Sequence, residues 1–130
     1  MPRAYTITTA ALALGVGTKW LDNTLSHHRV QGVSQARQGV PRRLSFDALI
    51  LLAIAVVLIE DLELPVSKAL MVATQLRQSQ GTTALPSGVQ IRIDIEQTTT
   101  VLLERLEHAV EIAPLPRRGR PPQKTTGRLD

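Results

Sequence analysis

Three sets of side chains in this sequence could do chemistry, and their spacing separates them. The imidazoles are His27, His28 and His108. Adjacent residues on a helix point about 100° apart, so His27 and His28 do not chelate from one face, and no carboxylate stands at ligand spacing beside them. Glu60, Asp61 and Glu63 cluster, but they read as the solvated end of a helix rather than a paired acid and base. No glycine-rich phosphate loop or nucleophile elbow is present. The absence of cysteine removes thiolate chemistry, disulfides and cysteine-rich zinc sites. Neither an enzyme nor a cofactor or metal is expected. The third set is built for recognition: Thr18, Lys19, Asn23 and His27, followed by Arg29, Arg37, Arg42 and Arg43 with no acid between residues 29 and 44. Asparagine suits the edge of adenine and lysine that of guanine, while arginines suit phosphates.

Two short helices must hold the first of these groups. Residues 7–27 divide at Gly15-Val16-Gly17. A helix-turn-helix needs a small residue where the helices cross, here Ala11, and one tolerant of positive φ in the turn, here Gly15. Ala10, Leu14, Val16 and Leu21 then face inward, leaving Lys19, Asp22, Asn23, Ser26 and His27 outward. Thr8 or Thr9 can cap the first helix, which ends near Leu14, and Thr18 the second, with Trp20 and Leu21 against the core. An ordinary helical hairpin would show the same pattern. Before it, Arg3 lies in a short arm and Tyr5-Thr6-Ile7 favours a brief extended segment.

The arginines need a different support. Segments around residues 30–33 and 40–44 flank a polar tip, residues 34–39, which predicts a β-hairpin. A hairpin carrying only positive charge fits a DNA-binding wing; a solvated surface loop is the alternative.

Ser45 then caps a helix with Asp47 in its first turn. Residues 48–59 are twelve consecutive apolar residues, where a membrane span needs about 20, and acids close both ends. The helix is expected to be buried all round, by its own domain or by a partner subunit. Pro65 opens the next helix, whose Val66, Ala69, Leu70 and Ala73 form one stripe through about Arg77. Residues 79–88 read as a loop. In the next strand Val89, Ile91, Ile93 and Ile95 share a face, and a helix over residues 96–112 places Leu102, Leu106 and Ala109 on another. A strand needs a neighbour, and the economical choice is the same strand of a second copy, antiparallel about a two-fold axis. Val89, Ile91, Ile93, Ile95, Leu102 and Leu106 are thus candidate dimerisation residues.

Charge is unevenly spread. Residues 1–45 carry a net +5, residues 46–113 a net −5 and residues 114–130 a net +4. Both ends suit a polyanion. The terminal stretch is too rich in proline, glycine and basic residues to bury a core, so a disordered tail is expected. Its Arg117-Arg118-Gly119-Arg120-Pro121 resembles an AT-hook, in which arginines enter the narrow minor groove of A·T-rich DNA. A phosphate-binding or purely solubilising tail would have similar composition.

Residues 1–78 resemble the DNA-binding domain of MerR-type winged helix-turn-helix regulators. The matching features are Tyr5-Thr6-Ile7 leading into Ala10-Ala11, Gly15-Val16 at the turn, and Trp20-Leu21 in the second helix. Arg42-Arg43-Leu44-Ser45-Phe46-Asp47 resembles the family's wing-to-helix junction, and Leu62-Glu63-Leu64-Pro65-Val66 with Ala69 the start of its next helix. The family's long dimerisation helix is absent, and the usual Arg-Tyr-Tyr or Arg-Trp-Tyr of the second helix is only Lys19-Trp20-Leu21. The resemblance implies the DNA-binding module without ligand-triggered activation.

The expected architecture is therefore mainly α (α+β): a winged helix-turn-helix (residues 1–78), a linker (79–88), a strand-helix dimerisation unit (89–113) and the basic tail (114–130). The expected function is sequence-specific double-stranded DNA binding by a cytoplasmic, nucleoid-associated homodimer, as a repressor or autoregulator. Major-groove contacts would come from Thr18, Lys19, Asn23 and His27, backbone contacts from Arg29, Arg37, Arg42 and Arg43, and minor-groove contacts from Arg117, Arg118 and Arg120. An architectural DNA protein of the recombination directionality type, or an antitoxin-like subunit that docks on another protein, are the alternatives.

Overall fold

A computed structural model describes residues 3–35, 37 and 39–112. The tail arginines Arg117, Arg118 and Arg120 lie outside the described residues. The chain runs β1 (Ala4–Thr6), α1 (Ile7–Leu14), α2 (Thr18–His27), β2 (Val33–Ser34), β3 (Arg43–Ser45), α3 (Phe46–Leu62), α4 (Val66–Gln78), β4 (Thr82–Ala84), β5 (Gln90–Arg92) and α5 (Ile95–Ile112). It is a mixed α and β fold, dominated by helix.

The apolar run forms α3, and its own chain covers most of it; Leu51, Ala53, Val57 and Ile59 are half-buried, so the helix is not buried all round as expected. Ala48, Leu49, Leu52 and Ile54 are all fully buried, and α1, α4 and α5 pack around the helix. Among the described residues no helix is long and apolar enough to cross a membrane. Ser45 caps α3 as its sequence position predicts, Oγ accepting from the Ala48 N–H at 3.1 Å. Glu63 ends it in the left-handed conformation, and Pro65 stands at the N-cap of α4.

Ser45 also ends β3, the central strand of a three-stranded antiparallel sheet ordered β1-β3-β2. Leu44 is opposite Tyr5 on one side and Val33 on the other, and it is fully buried. The predicted two-stranded hairpin thus gains the extended segment at residues 4–6 as a third strand. Its strands are shorter than expected because a turn uses residues 30–32. In that turn the Ser45 N–H donates to the Gly32 carbonyl at 2.8 Å.

The C-terminal part departs most from the sequence-based expectation. Residues 79–88 contain β4, which pairs with β5 as an antiparallel hairpin with Thr83 opposite Ile91. Thr82 and Thr83 are β-branched, and this strand tendency is hidden in a segment whose composition reads as loop. The strand predicted over Val89 to Ile95 therefore finds its neighbour within the chain, which removes the premise from which a second copy was inferred. Val89, Ile93 and Ile95 all lie outside β5, which spans only Gln90–Arg92. Asp94 caps α5, its Oδ1 accepting from the Gln97 N–H at 3.0 Å, so the helix begins at Ile95. Of the remaining candidate dimerisation residues, Ile91 and Ile93 pack half-buried against the core of their own chain, and Val89 is exposed. Leu102 and Leu106 are buried in that same core, where α5 packs on α1 and α3.

Three substitutions test this packing. Gly32 has φ +93°, and a Cβ there would collide with Ser45 Oγ and crowd Ala48 Cβ at 3.1 Å. Positive φ costs a non-glycine residue about 1–3 kcal/mol, and disturbing the Ser45 cap adds about 1 kcal/mol. Gly32→Ala should therefore lower the urea midpoint clearly, whereas Gly17→Ala, with nothing within 4 Å, should barely move it. Leu102→Ala should cost about 2–5 kcal/mol in the same assay, since Leu102 is only 2% exposed.

Candidate nucleic-acid interface

The turn between α1 and α2 is built by backbone hydrogen bonds. Gly15 takes φ 73° at the C-cap of α1, its N–H donates to Leu12 O at 3.2 Å, and the Val16 N–H donates to Ala11 O at 3.0 Å. This double closure is the glycine-ended helix stop, and it places Val16 against the core. Ala11 is 1% exposed, as a small residue at a helix crossing should be. The first cap comes two or three residues earlier than expected: Thr6, not Thr8 or Thr9, accepts from the Thr9 N–H at 3.2 Å. Gly17 rather than Thr18 is the N-cap of α2, with no side-chain cap bond. Thr18 is thereby moved inside the first turn, on the exposed side.

Helix α2 buries Leu21, Thr24 and Leu25 and half-buries Trp20. Thr24, the buried polar side chain, is satisfied by donating to Trp20 O at 2.8 Å. Every residue assigned to the outward face, Lys19, Asp22, Asn23, Ser26 and His27, is exposed. Two of them are fixed by bonds to the preceding turn. Ser26 Oγ donates to Asp22 O at 2.9 Å, and His27 Nδ1 donates to Asn23 O at 2.8 Å. Among the described hydrogen bonds none uses the side chains of Thr18, Lys19 or Asn23.

The hairpin stands beside this face. Its tip is closed by Gln35 Nε2 donating to Val40 O at 2.7 Å and by the Val40 N–H donating to Arg37 O at 3.1 Å. Arg29, Arg37 and Arg43 are exposed. Arg42 is placed differently from expectation. Its Nη1 lies 2.7 Å from Asp22 Oδ1, and its Nη2 donates to Ser26 Oγ at 3.3 Å. The side chain is 20% exposed. Arg42 thus ties the hairpin to α2 and neutralises the one acid on the outward face, so it is not a free phosphate ligand. No local spacing reveals this, since Asp22 and Arg42 are brought together by the fold across the whole hairpin. The hairpin is acid-free in sequence but not in its surroundings.

On the far side, α5 supports the turn. A Cβ on Gly15 would lie 3.7 Å from Arg105 Nη1, so this guanidinium sits over the carbonyl end of α1, where a cation is favourable. Sequence reasoning placed no residue of α5 near the turn. Behind the hairpin, Asp47 and Arg77 approach to 3.6 Å and join α3 to α4.

The histidines are not gathered into a metal site; among the described residues no group of three or more histidine, aspartate or glutamate side chains could hold a metal ion. What the surface offers is a helix with a polar outer face, an uncapped N-terminus open to hydrogen-bond acceptors, and a basic hairpin locked beside it. Comparison with known proteins returns no match to a family model, a curated protein or a solved structure.

The Asp22–Arg42 contact is an exposed pair, for which about 0.2–1 kcal/mol is typical. A double-mutant cycle of Asp22→Ala and Arg42→Ala should return a coupling in that range, falling further at high salt. A coupling of zero at low salt would remove the tie.

Proposed function

We propose that this protein binds double-stranded DNA in a sequence-specific manner, as a winged helix-turn-helix repressor or autoregulator. The observation that carries the reading is the shared exposure of Thr18, Lys19, Asn23 and His27 on α2 beside the hairpin arginines, with Asp22 neutralised by Arg42. A carboxylate facing phosphates opposes binding, and the pairing with Arg42 offsets that of Asp22. The resemblance of residues 1–78 to the MerR-type DNA-binding domain supports the same reading.

In this reading α2 lies in the major groove. Lys19 and Asn23 read base edges, Thr18 and His27 flank them, and Arg29, Arg37 and Arg43 hold the backbone. Arg117, Arg118 and Arg120 reach the adjacent minor groove. A homodimer would place two such helices on half-sites about one helical turn apart, through a contact other than β5.

Binding-site selection with the purified protein supplies the DNA for the test. Lys19→Ala and Asn23→Ala should each weaken binding to the selected site by about 1–3 kcal/mol while leaving non-specific binding nearly unchanged. Equal losses on both would mean that α2 does not read bases. Each of Arg29→Ala, Arg37→Ala and Arg43→Ala should reduce the slope of log affinity against log salt by about 0.9. Deleting residues 114–130 should lower affinity and flatten the slope; an unchanged slope excludes a DNA-binding tail.

A further inference from the structure

Beside the α1–α2 turn, the ends of α1, α3 and α5 leave an open groove of ≈ 430 Å³. Two exposed apolar side chains contribute to it: Leu12 is 44% exposed and Ile112 56%. Glu60 from the last turn of α3 and Glu104 from α5 add carboxylates to the lining. The surroundings are acidic as well. Asp61 and Glu63 follow Glu60, and Glu111 lies in the last turn of α5. Neither α3 nor α5 has a basic residue in its last turn. Negative charge at a helix C-terminus opposes the macrodipole, so both helix ends favour an incoming cation. Arg105 also lines the groove, its Nη1 beside Gly15 of the same lining, so two lining carboxylates stand against one guanidinium and the acids around them set the excess of negative charge.

We propose that this groove is the docking site of the chain's own basic tail, residues 113–120. The continuation starts inside the site, because Ile112 is itself a lining residue. Its sequence is Ala113-Pro114-Leu115-Pro116-Arg117-Arg118-Gly119-Arg120, one large apolar side chain followed by three cations. Leu115 covers Leu12 and Ile112, and Arg117 and Arg118 meet Glu60 and Glu104. Arg117 is five residues past Ile112, a reach of up to about 17 Å for extended chain. Pro114 and Pro116 have their φ fixed, which lowers the entropy lost on docking. Complementary charge and continuity of the chain favour this occupant over a second molecule. The consequence rests on the DNA-binding reading: the arginines that would enter the minor groove are held on the acidic corner until DNA competes for them.

The lack of cysteine makes the test clean. Gln123→Cys in the full chain carries a single nitroxide, and paramagnetic broadening is read at the backbone amides of the isotope-labelled protein. Docking is expected to cause a roughly twofold or greater selective loss of signal at Leu12, Gly15, Glu60 and His108, reversed at 1 M salt, where the screening length falls to about 3 Å. The double variant Glu60→Gln, Glu104→Gln, altered only at exposed positions, should abolish the loss while keeping the spectrum of the folded protein. Absent or uniform broadening overturns the proposal, as does broadening that survives the double variant. Broadening seen only when isotope-labelled and spin-labelled molecules are mixed assigns the groove to the tail of a second copy and also overturns it. Adding the selected duplex should release the signals. If docking is present but DNA leaves it unchanged, the docking stands and the DNA-binding reading fails.

Discussion

Helix α3 is the constraint from which the rest of the molecule follows. Twelve consecutive apolar residues give a helix no polar face to turn to water, so most of its surface must be covered. The fold meets this with α4 and α5, with α1, and with the sheet that runs into the helix through Ser45. Burying one leucine or isoleucine side chain is worth about 1.5–3 kcal/mol, and α3 buries eight residues, most of them that large. The exposed Asp22–Arg42 pair is worth about 1 kcal/mol at most. Burial around α3 therefore decides the fold, and the ion pair only sets where the hairpin rests on α2.

Because α1 is committed to α3 and α5, its partner α2 lies one layer further out. Its inner side closes on α1 through Leu21 and Leu25, and its outer side is left to solvent. This outer face is stiffened locally, by Ser26 and His27 bonding to the preceding turn, and laterally, by Arg42. The sheet supplies the other half of the rigidity. Placing β3 between β1 and β2 ties the hairpin base to both the N-terminal segment and α3, so the hairpin cannot move independently of the helix pair. The proposed recognition surface, made of weak polar contacts, needs such a frame, since the contacts themselves cannot hold it.

Charge is segregated over the same frame. Arginines gather on the hairpin and its approach, residues 29–43, while acids gather toward the C-terminal ends of α3 and α5. The hairpin region is thus suited to a polyanion and the acidic helix ends to a cationic segment, and the tail with its five basic residues follows the acidic end of α5. Helix α5 carries part of the acidic corner and also places Arg105 beside the α1–α2 turn.

Much of this was written in local sequence. The helix break at Gly15, the buried Ala11, the outward residues of α2, the Ser45 cap and the span of α3 each depend on a few neighbouring residues, and those residues have little freedom: glycine for positive φ, serine for a cap, an unbroken apolar run for a helix without a polar side. Two features were decided only by tertiary structure. The partner of β5 was hidden because Thr82 and Thr83 stand among residues typical of a loop, and pairing energy depends on what lies opposite rather than on the strand's own pattern. The ion pair of Arg42 joins residues twenty positions apart, through a hairpin whose register is set by Leu44 between Tyr5 and Val33. Sequence determined which side chains face outward; only the fold decided which of them are already engaged, because engagement depends on distances that no local spacing contains.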